Sequence, residues 1–178
     1  MLTVVAFDIE TLGLLHQVPL PEITCVCLYS GPHDPEGDEQ LRLWRLPPEE
    51  RSVNVNRIIR RLDAADVIAG FNAVLFDLEF LRRALHIDDD RALRWVLKCV
   101  DPYMVARFIV GESCGMNYML SLNGLEGKTG SGKEAIAMAQ NDEWPALLSY
   151  CRMDAKLTYD LCAMEWLRLT PGLECRLD

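Results

Sequence analysis

An acidic residue on the apolar side of a long predicted helix restricts how this chain can fold. The hydrophobic pattern predicts one helix over residues 146–167, in which polar and apolar side chains separate onto two faces at about 100° per residue. Asp154 lies on the apolar face with Leu157 and Leu161. A buried carboxylate without a partner costs several kcal/mol or takes up a proton. We therefore expect the folded chain to place a strong partner, such as a cation, against Asp154.

Tyr150 lies one turn before Asp154 on the same face of this helix. A spacing of four residues brings two helical side chains together. Capping cannot explain the position of Asp154, because it lies in the interior of the predicted helix. One alternative remains, in which Asp154 is a core residue that is hydrogen-bonded to the backbone or to Tyr150.

Length and composition indicate a single globular domain. The chain has 178 residues, of which 50% are hydrophobic and 25% are charged, and a chain of this size can bury a core without disulfides. We expect one domain over residues 1–170 and a short C-terminal tail over residues 171–178. No apolar run reaches the ~20 residues of a membrane span, and Asp8 and Glu10 interrupt the first apolar stretch. The sequence therefore predicts an intracellular protein without a signal peptide or membrane segment.

The net charge of −9 argues against a protein that holds nucleic acid mainly through a basic surface. It does not exclude nucleic acid that is held through divalent metal ions, which bring their own positive charge. The seven cysteines are odd in number and form no Cys-x-x-Cys pair. We therefore expect reduced thiols in the core rather than disulfides or a zinc site.

The order of predicted elements indicates an α/β fold with a mixed five-stranded sheet that is flanked by helices. Three early strands favour an antiparallel meander, and the later strands alternate with helices, as parallel strands do. The predicted strands cover residues 3–8, continuing into Ile9 and Glu10, and residues 23–29, 41–46, 67–71 and 97–100. The predicted helices before the last one cover residues 51–65, 77–85 and 103–110. Residues 111–132 are rich in Gly, Ser and Asn, so we expect them to be irregular, with helical segments from Glu134 onward.

Two acidic residues end the first predicted strand. Residues two apart on a strand point to the same face, so Asp8 and Glu10 present two carboxylates side by side while Ile9 packs behind them. A divalent ion relieves their repulsion, and Mg²⁺ and Mn²⁺ prefer such oxygen ligands. The alternative is a strand end that emerges into solvent.

A third acidic position follows the fourth predicted strand. The segment runs from Gly70 through Asn72 and Phe76 to Asp77, where a helix is predicted to begin. The alternative for Asp77 is a helix N-cap, for which Asp is a favoured residue.

Taken together, the motifs Asp8-x-Glu10-Thr11, Asn72-x-x-x-Phe76-Asp77 and Tyr150-x-x-x-Asp154 resemble those of the DEDD exonuclease superfamily, in its tyrosine-containing (DEDDy) branch. The step from Asn72 to Asp77 is most similar to the proofreading domains of family B DNA polymerases and their stand-alone relatives. The resemblance covers roughly residues 3–167, and it implies a ribonuclease H-like fold.

The resemblance also implies roles for the acidic residues. Asp8 would bridge two divalent cations, Mg²⁺ or Mn²⁺; Glu10 and Asp154 would complete one site, and Asp77 would support the other. Tyr150 would orient the attacking water. The implied activity is a metal-dependent 3′→5′ exonuclease that acts on single-stranded or 3′-end nucleic acid, DNA or RNA, and releases nucleoside 5′-monophosphates.

Substrate contacts follow from the same resemblance. Thr11 would touch the terminal nucleotide, Leu14, together with Leu12, would wedge beside the last bases, and Asn72 would contact the backbone or brace the site. For the leucines the alternative is core packing. Lys133 is the candidate for a lysine near the scissile phosphate and Lys128 a weaker one, and a solvated loop lysine is the alternative.

Two other functional interpretations remain. One is a catalytically silent module of the same fold that binds nucleic acid or a protein partner. The other is a P-loop protein, because residues 127–133 imitate Gly-x-x-x-x-Gly-Lys. The second interpretation is weak, since Glu134 replaces the Ser or Thr that binds Mg²⁺ and no hydrophobic strand precedes the loop. The sequence identifies no polymerase or repair partner.

Overall fold

The computed structural model describes residues 2–31, 37–128 and 130–177. Its strands are β1 (Val4–Thr11), β2 (Ile23–Tyr29), β3 (Glu39–Arg42), β4 (Val67–Ala69), β5 (Cys99–Val100), β6 (Trp166–Thr170) and β7 (Leu173–Arg176). Its helices are α1 (Pro48–Ala64), α2 (Asp77–Ala84), α3 (Asp89–Leu97), α4 (Pro102–Val110), α5 (Met116–Leu122), α6 (Gly132–Gln140) and α7 (Trp144–Cys162).

Five strands form one mixed sheet in the order β3-β2-β1-β4-β5. β1 pairs antiparallel with β2 and parallel with β4, while β2 pairs antiparallel with β3 and β4 parallel with β5. The predicted combination of an antiparallel meander with parallel strands is therefore confirmed. β1 is the central strand, so the residues at its end can be approached from several other elements.

Helices cover both faces of the sheet because its inner strands are apolar on both sides. Six of the seven residues of β2 are buried, and successive strand residues point to opposite faces. Val26 and Leu28 pack into a core whose largest buried member is Trp95 of α3. Cys25 and Cys27 pack on the opposite face with residues of α6 and α7.

The C-terminal part of the chain differs from the prediction. The last helix ends at Cys162 rather than at residue 167, and β6 and β7 then form an antiparallel hairpin. The predicted tail over residues 171–178 thus contains a strand. Exposed Trp166 and buried Leu167 begin an alternation with a period of two, which fits a strand and not a helix. Leu167 joins the third core cluster, which includes residues of α4, α5 and α7.

Two helices lie where the sequence did not predict them. α3 begins after Asp88, whose side chain accepts a hydrogen bond from the Arg91 backbone N–H at 2.8 Å, a typical N-cap. Because α3 extends to Leu97, the strand predicted over residues 97–100 is shortened to β5. α5 lies in the region that was expected to be irregular.

The cysteines are free thiols, as predicted. Cys25, Cys27 and Cys151 are buried, and the other four are partly buried. Within the described ranges, no helix has the length and apolar character needed to cross a membrane.

Candidate active site

The acidic end of β1 projects past the end of its parallel neighbour. Pairing between β1 and β4 extends only to Ala6 and Ala69, whereas on the other side Asp8 lies opposite Cys27 and Glu10 opposite Cys25 of β2. The chain that leaves β4 turns away from the sheet at this point. One side of Asp8 is therefore open to residues from other segments.

The turn after β4 brings Asp77 against β1. Asn72 has a φ of 62° in this turn, and its carbonyl accepts a hydrogen bond from the Phe76 N–H at 3.0 Å. Asp77 is the first residue of α2, while Phe76 holds the N-cap position. The Asp77 carboxylate accepts a hydrogen bond from the backbone N–H of Ile9 at 3.3 Å. The side chain of Asp77 therefore contacts the acidic end of β1. Asp77 is not the N-cap of α2, which was the alternative interpretation.

The buried carboxylate of α7 has the strong partner that the sequence required. Asp154 is 2% exposed, and its Oδ2 accepts a hydrogen bond from Lys128 Nζ at 2.7 Å. The same ammonium lies 3.2 Å from the Tyr150 hydroxyl. Of the two candidate lysines, Lys128, the weaker one, thus lies against the carboxylate of Asp154.

Lys133 lies in the first turn of α6, where its side chain is exposed. No sequence pattern distinguishes the two lysines, because both belong to one Gly-rich loop without periodicity. Only the path of the loop, in which the Lys128 N–H donates to Asn117 at 2.7 Å, selects Lys128.

Three of the carboxylates converge at a spacing that suits one metal ion. One oxygen each from Asp8, Glu10 and Asp154 lies within 4.8 Å of the others. Among the described residues, Asp8 Oδ2 and Asp154 Oδ1 are buried without a hydrogen-bond partner. Buried carboxylate oxygens are costly unless they are paired. This donor set therefore fits a hard divalent cation such as Mg²⁺ or Mn²⁺, which prefers oxygen ligands.

Burial, together with the charges of neighbouring acids, raises the pKa values of Asp8, Glu10 and Asp77. For Asp8, burial raises the pKa well above the usual value, and the charges of Glu10, Asp77 and Asp154 add to the effect, while Lys128 opposes it. Burial is also the main reason that the pKa of Glu10 rises to about 8 and that of Asp77 to about 7. One ammonium does not neutralise this group of acids, so the site favours additional positive charge.

Lys128 and Tyr150 both remain protonated at neutral pH. Burial lowers the pKa of Lys128, but its hydrogen bond to Asp154 and the charge of that carboxylate outweigh this, so the pKa is raised overall. Burial and the charge of Asp154 raise the pKa of Tyr150 to about 12. The site thus holds one ammonium and one neutral hydroxyl beside the carboxylates.

A cavity of about 300 Å³ opens on this group. Its lining combines acidic and aromatic side chains with Lys128; the acids are Asp8, Asp77 and Asp154, and the aromatic residues are Phe71, Phe76 and Tyr103. Glu10 and Tyr150 do not line it. A small cavity that is lined by both acids and aromatic rings suits a ligand that has both a metal-binding anion and a flat ring.

The residues proposed to contact the substrate lie in different surroundings. Asn72 lines the cavity. The Thr11 hydroxyl donates to the Gly13 carbonyl at 2.7 Å at the end of β1. Leu12 packs against the core cluster of α6 and α7, which matches the alternative of core packing, whereas Leu14 is 56% exposed.

Comparisons with solved structures give matches that comparisons of sequence do not. No protein-family model and no curated protein sequence matches this chain. The family B DNA polymerase from the hyperthermophilic archaeon Pyrobaculum calidifontis superposes with a TM-score of 0.64 at 16% identity, over 91% of this chain and 24% of the polymerase. Exonuclease I superposes with a TM-score of 0.51 at 18% identity, over 84% of this chain and 43% of exonuclease I.

These similarities establish the fold. At 16–18% identity, they confirm the predicted ribonuclease H-like architecture, with its mixed five-stranded sheet between helices. The chain spans about a quarter of the polymerase (24%) and less than half of exonuclease I (43%).

Proposed function

We propose that this chain is a metal-dependent 3′→5′ exonuclease that hydrolyses the terminal phosphodiester bond of nucleic acid and releases nucleoside 5′-monophosphates. The observation that carries the proposal is the convergence of four acids from three distant segments: Asp8, Asp77 and Asp154 line one cavity, and Glu10 lies beside Asp8 and Asp154. The likeness of the fold to exonuclease I and to part of a family B polymerase supports this assignment.

The carboxylates would hold two divalent cations. Asp8, Glu10 and Asp154 would bind one, as their spacing allows, and Asp8 with Asp77 would bind the other. A pair of such ions activates a water molecule and stabilises the leaving 3′-oxygen. The orphaned oxygens of Asp8 and Asp154 supply ligand positions that the protein leaves unsatisfied among its described residues.

Tyr150 of α7 and Lys128, which precedes α6, would complete the catalytic site. The Tyr150 hydroxyl, with its pKa raised to about 12, stays a hydrogen-bond donor and would orient the attacking water rather than act as a base. Lys128 keeps its charge and is held by Asp154 within reach of the cavity. Its ammonium would offset negative charge on the reacting phosphate.

The cavity favours an unpaired terminal nucleotide. Its volume of about 300 Å³ accommodates a single nucleotide. Aromatic side chains can stack on any base, which suits cleavage without sequence preference. A single-stranded 3′ end can enter without melting a duplex, so single-stranded nucleic acid is the favoured substrate.

The test is degradation of oligonucleotides that carry a label at either the 5′ or the 3′ end. With Mg²⁺ or Mn²⁺, we expect 5′-labelled strands to shorten one nucleotide at a time and 3′-labelled strands to release labelled mononucleotide at once. EDTA and the variant Asp8→Asn should each abolish both. Matched DNA and RNA strands, single and double, identify the substrate class.

Other outcomes contradict the proposal in distinct ways. Internal cuts would indicate an endonuclease, and release of 3′-phosphates would refute the expected bond cleavage. Absence of hydrolysis by a folded protein that binds Mn²⁺ would favour the silent module. Activity that survives in Asp8→Asn would indicate a contaminating nuclease or a different site.

A further inference from the structure

Another buried carboxylate lies beside the site without belonging to the acidic group. Asp101 is 3% exposed and connects β5 to α4. Its Oδ1 accepts hydrogen bonds from the backbone N–H groups of Tyr103 at 3.1 Å and Met104 at 3.3 Å. These contacts make Asp101 the N-cap of α4, with Pro102 as the first helical residue.

The same carboxylate also holds the turn that follows β4. Oδ1 accepts the Asn72 N–H at 2.9 Å, and Oδ2 accepts the Val74 N–H at 3.2 Å. A plain N-cap uses only the N–H groups of its own helix. Asp101 therefore ties two segments of the chain together through four backbone donors.

The turn has an uncommon backbone conformation. Asn72 has a φ of 62°, in the left-handed region, which Asn adopts more readily than other residues with a side chain. The turn is also tight, since a Cβ atom at Gly70 would lie 2.2 Å from the Ala73 side chain. Hydrogen bonds on both sides of Ala73 oppose relaxation of this conformation.

The two segments that Asp101 joins both line the cavity. Asn72 and Phe71 come from the turn, and Tyr103 comes from the first turn of α4. The rings of Phe71 and Tyr103 meet edge to face at 5.8 Å. The turn also leads directly into Asp77, so its conformation sets the position of that carboxylate relative to Ile9.

We propose that Asp101 is a positioning residue that clamps the turn of residues 70–76 to the start of α4 and so fixes Asn72, Asp77 and the cavity for the terminal nucleotide. Its effect on turnover rests on the proposed function. Asp101 does not line the cavity, so its effect is carried by the residues that it holds. A displacement of about 1 Å of such residues can cost about 100-fold in rate.

The variant Asp101→Asn keeps the cap and removes one of the two contacts of the clamp. Asn is itself a favoured N-cap, and its one carbonyl oxygen can still accept the N–H groups of Tyr103, Met104 and Asn72. Its NH₂ group then faces the Val74 N–H, where a donor meets a donor. Asp88→Asn is a matched control, because Asp88 caps α3, also of nine residues, and contacts no residue of the turn in the described structure.

Two measurements test the proposal, one of which does not depend on activity. In Asp101→Asn, we expect the Val74 amide to exchange with solvent hydrogen at least tenfold faster than in the wild type, by NMR. We also expect kcat on a single-stranded oligonucleotide to fall at least tenfold while KM changes less than threefold, because contacts beyond the terminal nucleotide are kept. Asp88→Asn should show neither effect.

The proposal is overturned if the Val74 amide remains as protected as in the wild type. It is also overturned if exchange accelerates but kcat stays within twofold, or if Asp88→Asn lowers kcat by the same factor. An inactive wild-type protein would refute the proposed exonuclease activity instead. The exchange of the Val74 amide would still decide whether the clamp exists.

Discussion

Removal of one charge from the acidic group should stabilise the metal-free protein. Asp77→Asn keeps a carbonyl oxygen that can accept the Ile9 N–H, which the carboxylate now accepts at 3.3 Å. The substitution therefore removes the negative charge with little change of shape. Asp77 is 7% exposed, so solvent screens its charge weakly.

The size of the effect follows from the pKa. Burial raises the pKa of Asp77 from 3.8 to about 7, a difference of about 3 units, and each unit corresponds to about 1.4 kcal/mol. Ionisation of Asp77 thus opposes folding by at most about 4 kcal/mol above pH 7. The new amide N–H groups need partners, and leaving them unsatisfied costs about 1–3 kcal/mol. The net gain is about 1–3 kcal/mol, or about 2–12 °C in Tm for a chain of this size.

The gain should depend on pH in a defined direction. When the pKa of a carboxyl group is higher in the folded than in the unfolded protein, the group contributes its full stabilisation at pH values below the unfolded pKa. This contribution is lost as the pH rises through the folded pKa. For Asp77 the loss extends from about pH 4 to about pH 7. Asp77→Asn avoids the loss, so its advantage is absent near pH 4, grows through this range and is constant above it.

Thermal unfolding in EDTA, followed by circular dichroism from pH 4 to pH 8, measures this dependence. Asp90→Asn, on the exposed surface of α3, is the control and should shift Tm by less than about 1 °C. Added Mg²⁺ should then raise Tm more in the wild type than in Asp77→Asn, because the variant has lost a ligand. An Asp77→Asn protein that is no more stable than the wild type at pH 8 in EDTA, or equally stabilised at all pH values, would refute the electrostatic argument.

Three further substitutions test neighbouring parts of the site. Lys128→Met should lower the Tm of the metal-free protein by several degrees, because Asp154 loses its ammonium partner. The control variant Lys133→Met should leave the Tm unchanged. Equal effects of the two substitutions on thermal unfolding would contradict the geometry. Tyr150→Phe should reduce kcat at least tenfold while the Kd for Mn²⁺, measured by calorimetry, changes less than threefold; a large loss of Mn²⁺ affinity would show that the hydroxyl serves the metal instead. Gly70→Ala should destabilise the fold by about 2 kcal/mol or more, because the new Cβ would lie 2.2 Å from the buried side chain of Ala73. Urea unfolding measures this change. A stability within about 0.5 kcal/mol of the wild type would show that the turn can rearrange at little cost.

The sheet and the acidic residues could be predicted because local patterns determine them. The continuous apolar runs of β1 and β2, and the period of the last helix, depend only on neighbours in sequence. The position of Asp154 on the apolar face of α7 follows from the same period, and it correctly required a strong partner. Predictions failed where a short element depends on tertiary contacts, as for β6, whose buried Leu167 and Leu169 pack against helices distant in sequence.

The identity of the partner of Asp154 could not be predicted from the sequence. Lys128 and Lys133 belong to one Gly-rich segment of the sequence, and only the folded structure, in which Lys128 precedes α6 and Lys133 lies in its first turn, places one of them against α7. The clamp by Asp101 is similar. The residues Asp101-Pro102 predict a helix start, but nothing in the sequence indicates that the same carboxylate binds a turn 27 and 29 residues earlier.

The charge of the site explains how so acidic a chain could hold nucleic acid. When ionised, Asp8, Glu10, Asp77 and Asp154 carry four negative charges against the single ammonium of Lys128, so without cations the cavity would repel a phosphate. Two divalent ions would reverse the sign of this balance and leave a small positive excess. The net charge of −9 then ceases to be an objection, because within a Debye length of about 10 Å the phosphate responds to the charges of the site and not to those of the distant surface. In the proposed function, the cations would thus be required for binding of the scissile phosphate as well as for its hydrolysis.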